Sequence, residues 1–163
     1  MKLYDFILNK EHHKYRHSVD WDLSLEYAEK GFNPTQRMAD RFECLCDEEK
    51  AVILEGEQIV FLRTVSNLPA IFTDKEWEEI KSKYYIHELG FMSNLSPNYY
   101  DTISVGFYEK RKTADEYGQR AIDNIIKLSD KYLVEAQKQG RTDLVEVLSQ
   151  VPRYPARNFR EAL

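Results

Sequence analysis

The stretch from Thr113 to Gly140 constrains the fold more than any other part of the chain. Its apolar positions are Ala114, Tyr117, Ala121, Ile125, Leu128, Tyr132 and Ala136. Their steps alternate between three and four residues and average about 3.7, the pitch of a straight α-helix. Ile122, Ile126 and Leu133 widen the stripe, so this helix is expected to be buried along much of its length. Thr113-Ala114-Asp115-Glu116 reads as a capping box that opens it, and Gly140 closes it. Glu116 with Arg120, and Asp123 with Lys127, are spaced to pair along its polar side. A helix of this kind needs partners, and the other segments supply them.

Asn33-Pro34 is an N-cap followed by proline at the first helical position, which predicts a helix over about 35–49 carrying Met38, Phe42 and Leu45. Thr73-Asp74-Lys75-Glu76 is a second capping box and opens a helix through Trp77 and Ile80 to about Ile86. Ser96-Pro97 starts another, running to about Lys110. Thr142 is expected to cap a short helix over Leu144 to Leu148 that Pro152 stops, and 156–163 begins one more. The one strand pair is Val52-Ile53-Leu54 with Ile59-Val60-Phe61-Leu62, joined by Glu55-Gly56-Glu57 as a hairpin. Residues 1–33 form an irregular arm: a basic stretch from Lys10 to His17, then Trp21, Leu23, Leu25 and Tyr27 up to Gly31. The expected fold is therefore mainly α with a small β-hairpin and about six helices. The pattern of Phe159 and Leu163 is only beginning where the sequence stops, so the chain reads as a piece of something longer.

Composition narrows the function. Lys and Arg number 23 against 28 Asp and Glu, a net charge of −5, which argues against a dedicated nucleic-acid binder. The longest apolar runs, 51–54 and 59–62, fall far short of the roughly 20 residues a membrane helix needs. Asp5 and Asn9 interrupt any secretory signal. A cytoplasmic protein is expected, with Cys44 and Cys46 as free, structural thiols. Two residues apart on a helix, they point away from each other and cannot share a metal.

No complete catalytic constellation stands out. His13 and His17 have metal-ligand spacing but no third ligand with firm spacing, and Lys14 and Arg16 repel a cation, so a solvated face is expected. Arg63, just after an apolar run, reads as half of a structural ion pair. Gly106 and Gly118 interrupt helical patterns at about 1 kcal/mol each, which points to close helix approach. The best candidate surface is the apolar loop Phe91-Met92-Ser93-Asn94-Leu95. A buried amide at Asn94 needs a hydrogen-bond partner, and Ser93 and Asn94 are the candidate substrate-binding residues.

Four stretches, taken together, resemble the N-terminal part of the pyruvate formate-lyase and glycerol-dehydratase family of glycyl radical enzymes. Arg37 to Arg63, with Gly56-Glu57-Gln58-Ile59-Val60, is similar to the family's helix and "G-E-x-I-V" segment. Pro69-Ala70-Ile71-Phe72 resembles its proline-rich approach to the barrel. Asn94-Leu95-Ser96-Pro97-Asn98-Tyr99, leading to Gly106, looks like "G-H-x-x-P-D-Y". Val151-Pro152, Pro155-Ala156 and Phe159-Arg160-Glu161-Ala162-Leu163 resemble "P-A-x-x-F-x-E-A-L". The match covers roughly 35–163.

The resemblance implies that this chain is the outer N-terminal region of an α/β barrel enzyme, contributing to its substrate cavity and inactive by itself. It implies a small-molecule substrate, a homodimer, and an S-adenosylmethionine-dependent activating enzyme. The radical glycine and the thiyl cysteine of the family have no counterpart in this sequence, so no cofactor belongs to these residues. Asn94 stands where several members carry a histidine, and Asn98 where the motif has Asp, so no catalytic residue is assigned. A different class of reading is a stand-alone helical module that offers the apolar side of the 113–139 helix to a partner. A third is a metal protein built on His13 and His17.

Overall fold

The structure, a computed structural model, describes residues 3–60, 64–83 and 98–163. It is mainly helical. The elements are α1 (Leu3–Leu8), α2 (Ser24–Glu29), α3 (Pro34–Glu48), α4 (Asp74–Lys83), α5 (Tyr99–Val105), α6 (Phe107–Arg111), α7 (Glu116–Lys138), α8 (Thr142–Gln150) and α9 (Phe159–Ala162), with a 3-10 turn at Glu11–His13. More helical segments are present than the sequence led us to expect, because the long 97–110 helix is split and the arm holds short helices of its own.

The predicted helix α7 is the spine. α3 packs along it, and α8 folds back onto it after the turn at Gly140. Cys46 from α3, Leu128, Tyr132 and Ala136 from α7, Leu144 and Leu148 from α8, and Ile53 from the connecting segment form the core. The apolar side of α7 from Leu128 to Ala136 is thus covered within the chain. No helix among the described residues is long and apolar enough to cross a membrane.

Helix ends follow local chemistry, with two corrections. Asn33 and Gln36 exchange side-chain and backbone hydrogen bonds at 2.9 and 3.0 Å, which starts α3 as expected. Thr73 and Glu76 do the same for α4. At α7, however, the cap is Asp115, which accepts from the Gly118 N–H at 2.7 Å. Thr113 turns its hydroxyl back to the Lys110 carbonyl, so it belongs to the end of α6. Thr142 is likewise the first residue of α8 rather than its cap, which is Arg141. Asn98 caps α5 by accepting from the Asp101 N–H at 3.2 Å.

The hairpin is not formed by the described residues. Val52 to Leu54 and Ile59 to Val60 carry no strand, and Phe61 and Leu62 lie outside the described region. The backbone groups that a ladder would use are taken by side chains. The Leu54 N–H donates to Glu57 at 2.7 Å, and the Ile53 carbonyl accepts from Gln139 at 3.2 Å. Ile53 itself is buried in the helical core. What pairing there is comes from the arm, which lies parallel to 64–70 through isolated bridges between His17 and Val65 and between Asp22 and Ala70.

The ion pairs expected along α7 also turn outward. Arg120 pairs with Asp40 and Glu43, and Lys127 with Asp47, all on α3. Asp123 accepts two hydrogen bonds from Arg111 at 2.7 and 2.8 Å. Inter-element pairs hold α7 to its neighbours where intrahelical pairs would only support the helix itself.

Candidate functional site

Ser93 and Asn94 lie outside the described residues, as do Phe91, Met92, Leu95 and Arg63. The described chain resumes at Asn98, and α5 and α6 are firmly seated. α5 turns into α6 at Gly106, with φ 78° and ψ 159°. There the Phe107 N–H donates to the Pro152 carbonyl at 3.0 Å, and the Tyr108 N–H to the Arg153 carbonyl at 3.0 Å. The Ala156 N–H returns a bond to Ile103 at 2.9 Å. The Tyr108 and Tyr154 rings meet edge to face with centroids 5.3 Å apart. The Val151–Pro152 peptide at this junction is cis.

Gly106 makes the close approach expected of it, against the 153–154 backbone rather than a helix. Gly118 does not: the nearest atoms to a Cβ there are Ala114 Cβ and Asp115 Oδ1, both at 3.1 Å in its own capping turn.

Two cavities flank this junction and share Val151, Pro152 and Glu161. One of about 100 Å³ lies against Thr102 and Ile103 of α5. The other, about 420 Å³, opens between α7, α8 and residues 58–60, and its walls are mostly aliphatic. Its volume falls in the range of small-molecule pockets. The polar groups on its wall are not poised for proton transfer. The Arg157 guanidinium, and then the Arg157 N–H, hold the buried Glu161 carboxyl below the usual range, so it stays charged. Arg160 is paired with Asp143 at 3.1 Å. The hydroxyl of Ser129 is buried and has no hydrogen-bond partner among the described residues, so no base there is bonded to it. The arrangement can hold an apolar group; it offers no activated nucleophile.

The other sequence candidates resolve as structural parts. His17 sits between backbone bonds to Thr64 and Ser66, with Nε2 3.6 Å from Glu48. Among the described residues no group of three ligating side chains could hold a metal. Cys44 and Cys46 are free thiols. Burial, reinforced by Asp47, pushes Cys46 up to about 11, and burial also raises Cys44. Both remain protonated at neutral pH, unlike a reactive thiolate.

Buried charges that no sequence motif announces organise the surroundings. Arg37 donates two hydrogen bonds to Glu76 at 2.8 and 3.0 Å and one to the Ile71 carbonyl at 2.9 Å. Its guanidinium lies 5.1 Å from the centre of the Phe72 ring. Arg153 is buried, bound to the Leu148 carbonyl at 2.9 Å and paired with Asp130. Their carboxylate partners, Glu76 and Asp130, lie 39 and 23 residues away, so only tertiary structure reveals the pairs.

Compared with known proteins, the chain matches no family model, no curated protein and no solved structure. Fold and site together define a mainly helical chain with an apolar cavity beside a tightly seated backbone junction.

Proposed function

We propose that this chain is the N-terminal segment of a glycyl radical enzyme of the pyruvate formate-lyase and glycerol-dehydratase kind. In that reading it is part of a cytoplasmic formate acetyltransferase, dehydratase or decarboxylase that works as a homodimer and is activated by a separate S-adenosylmethionine-dependent protein. The segment supplies outer helices and one wall of the substrate cavity, with Ser93 and Asn94 facing a small-molecule substrate. The radical glycine and the thiyl cysteine belong to the remainder of the enzyme.

The observation that supports this most is the meeting of two of the resembling stretches. Gly106, at the end of the third, lies against the 153–154 backbone, and the next residue, Phe107, donates its N–H to the carbonyl of Pro152 in the fourth. Stretches about 45 residues apart that resemble one family in order also meet at one junction. Phe159 and Leu163 of the fourth stretch are 78% and 64% exposed, as suits side chains that rest on further polypeptide. The helical-module reading has less to offer, because Leu128, Tyr132 and Ala136 of α7 are already buried in the core with α3 and α8.

A hydrophobic dye and size-exclusion chromatography test the reading on the 163-residue chain. Strong dye fluorescence and self-association are expected from surfaces shaped for a barrel. A monodisperse monomer that leaves the dye dark would contradict it.

A further inference from the structure

Among the described residues, Arg41 is a partly buried arginine without a carboxylate partner, whereas Arg16, which also lacks one, is exposed. Arg37, Arg111, Arg120, Arg141, Arg153, Arg157 and Arg160 each pair with a carboxylate. Arg41 is partly buried on α3, and its hydrogen bond goes to the thioether of Met38 at 3.1 Å. Sulfur is a weak, uncharged acceptor. Burial pulls the basicity of Arg41 down, with Tyr27 the one neighbouring group working against that. Taking a cation out of water without a counter-ion is costly, so this guanidinium is short of a carboxylate.

The acids of α3 are not paired with it: Glu48, two turns further along the same face, stands 3.6 Å from His17. Asp40, Glu43 and Asp47 are engaged by Arg120 and Lys127 of α7. Met38, Arg41 and Leu45 follow one another at helical spacing on a different face. Met38 is 48% exposed. Leu45 borders an apolar depression of about 240 Å³, which Phe42, Val65 and the exposed Leu68 also line. The rise from Arg41 to Leu45 is about 6 Å.

We propose that the Met38, Arg41 and Leu45 face of α3 docks a polypeptide segment bearing a carboxylate next to an apolar side chain. The carboxylate forks onto Arg41, and the apolar side chain enters the depression beside Leu45. Arginine and methionine are the residue types enriched where protein interfaces lose their water. A phosphate-rich partner suits the face less well, since the chain carries a net charge of −5 and such partners are held by several cations together. The proposal does not depend on the enzyme reading above.

A displayed library of random dodecapeptides, panned against the full chain, tests it. The expected result is enrichment of peptides with Asp or Glu close to Leu, Ile, Phe or Met. Fluorescence anisotropy with an enriched, labelled peptide then compares variants whose helicity is checked by circular dichroism. Arg41→Gln should weaken binding by about tenfold or more. Met38→Glu places a carboxylate one turn from Arg41 on the exposed surface, and should weaken binding equally while raising the melting temperature. Enriched peptides without an acidic preference, or equal affinity for both variants and the parent, would overturn the proposal. So would an absence of saturable binding. Self-association that Met38→Glu abolishes would reassign the face to a second copy, against the proposal.

Discussion

A Cβ placed on Gly106 would stand 2.6 Å from the carbonyl carbon of Tyr154 and 2.7 Å from the Arg153 oxygen. The obstacle is backbone, which cannot swing aside as a side chain can. The φ of 78° with ψ of 159° is also a conformation that side-chain-bearing residues avoid. Gly106→Ala is therefore expected to cost about 3 kcal/mol in urea unfolding. Gly118→Ala gains about 1 kcal/mol of helix propensity. It also brings a Cβ within 3.1 Å of Ala114 Cβ and of the capping Asp115 Oδ1, so it should change stability by no more than about 1 kcal/mol. Equal effects at the two sites would refute the junction described here.

Lys131 closes the end of α3. Its ammonium donates to the carbonyls of Cys46, Asp47 and Glu49 at 2.8, 2.7 and 3.1 Å. These include carbonyls that a helix end leaves without intrahelical partners. Lys131→Met keeps most of the apolar stem and removes the donors, and should lower unfolding free energy by about 2 kcal/mol. A change within 0.5 kcal/mol, roughly the scatter of surface substitutions, would show that water caps this end equally well.

Glu76 gives the chain an acid-sensitive strut. Hydrogen bonds from Arg37, helped by those from Thr73, hold its carboxyl at about 2 against an ordinary 4.5. A depressed carboxyl stabilises the fold fully above its unfolded value and loses that contribution as the pH falls from about 4.5 toward 2. Melting temperatures recorded over that range should fall less steeply for Glu76→Gln than for the parent, and the two slopes should agree above about pH 5. Parallel curves throughout would remove Glu76 from the acid response.

Ser129 sets a test of the larger cavity's wall. Its hydroxyl is buried without a partner, and an unsatisfied polar group is a cost. Ser129→Ala should leave stability unchanged or raise it by up to about 1 kcal/mol. A loss of more than 1 kcal/mol would mean the hydroxyl is bonded in solution.

The helical frame was readable because its signals are local. The stripe of α7, the Asn33 cap and the Thr73 box depend on residues within a few positions of one another. The expected Thr113 cap gave way to Asp115 because the turn of α6 already uses the Thr113 hydroxyl. The β-branched run around Ile53 looked like a strand, but its burial partners are helices and its backbone is engaged by Glu57 and Gln139. Arg120 and Lys127 were read against their own helix because α3 is about 80 residues away in sequence. Arg37, Arg153 and Arg41 carried no local mark at all. The Ser93 and Asn94 expectation falls outside the described residues.

The most direct test of the enzyme reading is the nucleotide sequence of the gene on the 3′ side of the Leu163 codon. The account predicts an open frame that continues into a mid-chain cysteine within a barrel-forming sequence and a glycyl-radical motif near the distal end. A stop codon immediately after Leu163 would contradict it.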